Sequence, residues 1–264
     1  MADKNSSVPP KSANYYPNLA VSQIKDPSKF YAIPLLGGFV KIIILIPVFI
    51  ELAFIAVAVW ILSIVNSLNV LINGKYWQTS FNLTLGMMKL GAKVYLYFMG
   101  LTNKYPGFSL DTNDDFSIDI EMPKNPSRFY AIPILGLLVR FILMIPYSIY
   151  SSVLHYGAHI GAVISSFAVL ANGKYPESTF EFERDSLRVN LASGAYFAGF
   201  SDAYPSFWIS MNHQTAKLLL IIAGAVMMFS NWGSHGRSNY YRRSDIPKPY
   251  QQHIPQNNVP GQLQ

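Results

Sequence analysis

The chain has no cysteine among its 264 residues. That excludes disulfides, thiolate metal sites, cysteine nucleophiles and palmitoyl anchoring. Charge is scarce too. Only 13% of residues are charged while 51% are hydrophobic, against about 25% charged in a soluble domain. Too little charge remains to coat a water-facing surface. Acidic residues are the minority, 14 against 20 lysines and arginines, for a net charge of +6. The basic groups sit in the tails and at the ends of apolar runs, so anionic lipid headgroups are the expected partner and nucleic acid is not. No apolar run opens the first 29 residues and Met1-Ala2-Asp3 lacks the myristoylation glycine, so neither a cleaved signal peptide nor a lipidated N-terminus is expected. No phosphate loop, GxSxG, HExxH or paired-carboxylate pattern occurs. The expectation is a protein that is not an enzyme and holds no cofactor.

What the chain does have, it has twice. Pro27-Ser28-Lys29-Phe30-Tyr31-Ala32-Ile33-Pro34 returns 99 positions later as Pro126-Ser127-Arg128-Phe129-Tyr130-Ala131-Ile132-Pro133. Asn73-Gly74-Lys75-Tyr76 returns as Asn172-Gly173-Lys174-Tyr175, and Tyr105-Pro106-x-Phe108 as Tyr204-Pro205-x-Phe207. Aligned without a gap, residues 26–110 and 125–209 agree at 29 of 85 positions. This reads as an internal duplication.

Residues 1–15 are polar and expected to be disordered. Residues 16–110 and 111–210 form the two membrane repeats. Within each, a short apolar segment up to Pro47 or Pro146 precedes a long apolar run. Proline suits a helix start and disrupts an interior. The first run therefore predicts a short helix over Phe30–Ile46, a bend, and a spanning helix from about Pro47 to Leu71. Those 25 residues reach about 37 Å, enough for a ~30 Å hydrocarbon core. Asn-Gly then predicts a turn. The next segment, near Phe81–Leu101, carries Lys89 and Lys93, so it predicts an interfacial or entering helix. Leu19–Ile24, Phe108–Leu110, Phe116–Met122 and Phe207–Ile209 predict four short strands on one membrane face, which requires two crossings per repeat. Residues 211–232 predict a last membrane helix, and 233–264 a disordered basic tail.

Three ionisable groups fall in the long apolar runs: Glu51, His155 and His159. The histidines are four apart and could share a metal on one helix face. Ala56 and Trp60 occupy the matching positions of the first copy, so hydrogen-bonded packing is the simpler reading and no metal is assigned. Lys41, Arg140, Lys89 and Arg188 keep their charge in both copies and are candidates for lipid headgroups, snorkelling at the membrane rim.

The repeated basic residue followed by Ile-Pro, the Asn-Gly-Lys-Tyr turn, the basic residue in the following helix and the closing Tyr-Pro-x-Phe-Ser-Leu resemble the bacterial membrane family catalogued as domain of unknown function 4389. The resemblance covers 26–110 and 125–209 and implies a protein of the bacterial cytoplasmic membrane. It implies no catalytic residue. The expected fold is an all-α integral membrane protein, with two tandem helical repeats, a C-terminal helix and a small extramembrane β layer. The repeats are expected parallel, about a pseudo-two-fold along the membrane normal. The expected role is structural or accessory to another membrane component, or to a second copy of the chain. A small transporter or channel with a pathway between the repeats is the alternative.

Overall fold

The computed structural model describes residues 17–112 and 116–244. The expected disordered N-terminus lies outside them. The chain divides into two compact units, Met1–Met228 and Phe229–Gln264. The helical core and the candidate site belong to the first.

The element order is β1 (Asn18–Val21), α1 (Leu36–Asn73), α2 (Gln78–Met99), β2 (Phe116–Asp119), α3 (Leu135–Asn172), α4 (Glu177–Phe197) and α5 (Gln214–Ser244). The described residues are thus mostly helical with one small sheet. Among the described residues three segments are long and apolar enough to cross a membrane: α1, α3 and Gln214–Asn231 of α5.

α1 is not interrupted at Pro47. It runs unbroken for 38 residues, as does α3 through Pro146. Both prolines lie on the exposed side of their helix. The buried stripe continues past the first of them, through Lys41 and Leu45 to Val48, so packing carries the helix on despite the lost N–H bond. Each long helix starts from a γ-turn. Leu35 and Ile134 both have φ 65°, and Leu36 and Leu135 donate their N–H groups to Pro34 and Pro133 at 2.8 and 2.7 Å. A positive φ is strained for a β-branched residue such as Ile134. Each long helix ends where Asn-Gly predicts. Gly74 and Gly173 adopt left-handed conformations and return their N–H groups to Val70 and Val169.

The sheet has two strands rather than four. β1 and β2 pair antiparallel with Leu19 opposite Ile118 and Val21 opposite Phe116. These four side chains are buried, while Ser117 and Asp119 face outward. Residues 108–110 and 207–209 are irregular. Side chains hold them in place of a ladder: Lys93 donates to the Ser109 carbonyl and Arg188 to that of Trp208. α5 also runs further than expected, through Ser244, and the rest of the expected tail lies outside the described residues.

The two helical pairs run in opposite directions. The Tyr76 hydroxyl, between α1 and α2, donates to the Ala198 carbonyl at the end of α4 at 2.8 Å. Tyr175, between α3 and α4, donates to Met99 at the end of α2 at 3.3 Å. Tyr95 reaches the Glu183 carbonyl further along the same interface at 3.4 Å. The C-terminus of each second helix thus meets the other pair's connector, so α2 and α4 pack antiparallel rather than in the expected parallel arrangement. Phe81, Phe200 and Tyr76 close that junction as one aromatic cluster.

Burial is uneven. Buried residues cover most of α4, whereas α1 and α3 bury one stripe and expose Phe, Ile, Leu and Trp around the rest. α5 closes on α3 at Gly224. A Cβ there would lie 2.2 Å from the Val153 carbonyl oxygen, so only glycine permits the approach.

Candidate functional site

Lys41 and Arg140, 99 positions apart, are the centre of the site. Neither snorkels: each is about 5% exposed, inside the protein. Their positions on α1 and α3 aim them at the C-termini of α2 and α4. The last helical carbonyls there lack intrahelical partners and carry the negative end of the helix dipole. Lys41 Nζ donates to the Phe98 carbonyl at 3.2 Å, and Arg140 donates to the Tyr196 carbonyl. Each cation lies over two rings, Tyr31 and Tyr97 for Lys41, Tyr130 and Tyr196 for Arg140.

The environments then diverge. Arg140 forms an ion pair with Asp202 at 2.6 Å and also donates to the Ser201 carbonyl. Asp202 in turn accepts the Ser127 N–H at 2.8 Å. In the first half Asn103 accepts the matching bond from the Ser28 N–H, at 3.2 Å, but brings no charge. Among the described residues no carboxylate lies within ion-pair distance of Lys41. The nearby Glu183 is held by the Tyr175 hydroxyl at 2.6 Å.

Beside Lys41 lies a cavity of about 330 Å³. Its walls come from the start of α1, the end of α2, the second half of α3 and Tyr175. His159 lines it, while His155 is exposed. The two imidazoles are 4.4 Å apart and His159 Nδ1 meets the His155 carbonyl at 2.8 Å. Glu51 is not brought to them. It lies half-buried on α1, near enough to Lys93 to act on its charge. Among the described residues no three His, Asp or Glu side chains gather as a metal site. Lys89 is half-buried, and Arg188 is buried against the loop after α4.

Sequence reasoning missed Glu183, Tyr175 and Asp202. Glu183 is fully buried over Gly161 of α3, and burial pushes its carboxyl well above the usual carboxylate range, against the opposing pull of Tyr175 and Lys41. Burial likewise raises the Tyr76 hydroxyl to about 12. The cluster Glu181-x-Glu183-Arg184-Asp185 is visible in the sequence as charge inside an otherwise apolar half. Its partners are not: Glu181 accepts from Asn212, and Asp185 from Ser210, both in the loop that covers α4.

No curated protein and no solved structure matches the chain. Residues 135–209 match the family model described as a domain of unknown function (DUF4389), a stretch that takes in α3, α4 and the loop that follows.

Proposed function

We propose that the chain is an integral protein of the bacterial cytoplasmic membrane, built by internal duplication, which serves as a structural or accessory partner without catalysis of its own. The observation that carries this reading is the separation of its surfaces. Exposed Phe, Ile and Leu crowd α1, α3 and the first half of α5, whereas Asp111, Ser117, Asp119 and Glu121 face outward from the loops and ribbon on α2 and α4.

The same separation favours helices lying in the plane of one leaflet over the two crossings per repeat expected from the sequence. A 38-residue helix is about 57 Å long, nearly twice a ~30 Å hydrocarbon core. Leu110 packs on Gly86 near the midpoint of α2, and Ser210 on Asp185 near that of α4, so the polar loops lie at the mid-height of the bundle. Upright helices would carry those loops to bilayer depth, where each carboxylate costs about 2.5 kcal/mol or more and open backbone has no partners. Laid flat, α1, α3 and the first half of α5 meet acyl chains, α2 and α4 form an interfacial layer, and the ribbon meets water and a partner. No pathway between the halves then crosses the membrane, which disfavours the transporter reading.

Single cysteines at Lys75, Lys104, Lys174 and Ala203 test this in the cysteine-free background. An impermeant thiol reagent on intact and permeabilised cells is expected to treat all four alike. Upright crossing would instead divide Lys75 and Ala203 from Lys104 and Lys174. Purification in mild detergent is expected to retain a stoichiometric partner that charge reversal at Asp119 and Glu121 releases. Reconstituted solute flux would replace the accessory role with transport.

A further inference from the structure

We infer that the cavity beside Lys41 is a binding site for an anionic amphiphile, one anionic head on an aliphatic chain. Its head meets the Lys41 ammonium and its chain lies along Val163 and Phe167 of α3.

Three observations converge. The first is a charge without a counter-ion among the described residues. In the second half Asp202 neutralises Arg140 at 2.6 Å, whereas Asn103 stands at the matching place beside Lys41. A buried cation without a paired anion is costly, and a bound anion removes that cost. The second is room made by substitution. Gly38 lines the cavity where α3 has Leu137, and His159 lines it where α1 has Trp60. A Cβ on Gly38 would meet nothing within 4 Å, so the lining there has room for a larger residue. The third is the chemistry of the walls. Lys41 lies at the C-terminal end of α2, with Ser28 and Asn103 on one side. Val163 and Phe167, both exposed and apolar, lie on the other and continue the lipid-facing surface of α3. A small inorganic anion would leave that apolar wall uncovered. A neutral lipid would leave the ammonium unpaired.

A carboxylate and a phosphodiester share the required chemistry, so fatty acid and phospholipid are both sources. The site does not depend on how the helices lie in the membrane. A failed labelling pattern and a failed ligand measurement are therefore separate results.

The test is native mass spectrometry of the full chain, purified in a neutral detergent and titrated in separate arms with oleate, phosphatidylglycerol, phosphatidylcholine and inorganic phosphate. One oleate or one phosphatidylglycerol per chain is expected, and which arm saturates first identifies the head. Gly38→Leu, which fills the cavity, and Asn103→Asp, which supplies the missing internal carboxylate, are each expected to weaken that binding at least about tenfold, in line with loss of a charge-assisted hydrogen bond. Lys41→Gln is expected to do the same. Gly38→Leu keeps the test valid if the lysine variant does not fold. Equal binding by the wild type and Gly38→Leu would overturn the proposal. So would phosphate binding as tightly as the amphiphiles, or phosphatidylcholine binding as tightly as phosphatidylglycerol.

Discussion

Tyr76 and Tyr175 make the same bond in opposite directions: each hydroxyl reaches across to a carbonyl at the end of the other half's second helix, Ala198 at 2.8 Å and Met99 at 3.3 Å. These bonds join the two antiparallel helical pairs at both ends. Tyr76→Phe is expected to destabilise the fold by about 1 kcal/mol, the usual net value of one hydrogen bond. Tyr175→Phe is expected to cost more, because Glu183 also loses its partner. Denaturant unfolding in a fixed detergent compares the two, and equal losses would remove Glu183 from the account.

Glu183 links stability to pH. Burial raises its folded-state pKa above the ordinary value, so the folded chain binds this proton more tightly than the unfolded one. The contribution is complete below the unfolded pKa, near 4.5. It is lost as pH rises through the raised folded value. Glu183→Gln mimics the neutral acid. It is expected to match the wild type below about pH 4.5 and to exceed it increasingly in thermal stability as pH rises from there. Parallel melting curves across that range would contradict a neutral, buried carboxyl.

Asp202→Asn converts the second half to the arrangement of the first. The bond from the Ser127 N–H can persist, as it does to Asn103, but Arg140 loses its carboxylate. Asp202 is one-third exposed, so solvent screens part of the loss, and about 2 kcal/mol is expected. Chemical denaturation measures it. A change within error would mean that carbonyls and rings suffice for Arg140.

Gly224→Ala is expected to lift α5 from α3, because the new methyl would collide with the Val153 carbonyl. Limited proteolysis should cut the variant ahead of Gln214 sooner than the parent chain. Gly91→Ala is the control. It has open space and lies within α2, so the substitution is expected to be neutral or to stabilise by about 0.5–1 kcal/mol.

Much of this architecture was legible in residues and spacing. Composition pointed to lipid, Asn-Gly marked where α1 and α3 stop, and alternation marked β1 and β2. Local rules failed where distant packing competes with them. Pro47 reads as a helix start, yet it lies inside one helix whose buried stripe continues from Lys41 to Val48. Residues 108–110 alternate like a strand, yet Lys93 holds the Ser109 carbonyl and no neighbouring strand arrives. Lys41 reads as a rim cation because its sequence neighbours are apolar; the C-terminus that receives it lies 57 positions away.

The sequence by itself determined the apolar content, the 99-residue period, the Asn-Gly stops of α1 and α3 and the absence of thiol chemistry, because each depends on residue type or short-range spacing. Only the tertiary structure decided that the two pairs run antiparallel, that Arg140 has a counter-ion while Lys41 has a cavity, and that Glu183 is buried. Those properties depend on which surfaces meet. A single difference between matched positions, Asn103 against Asp202, changes a site only once folding has brought a cation beside it.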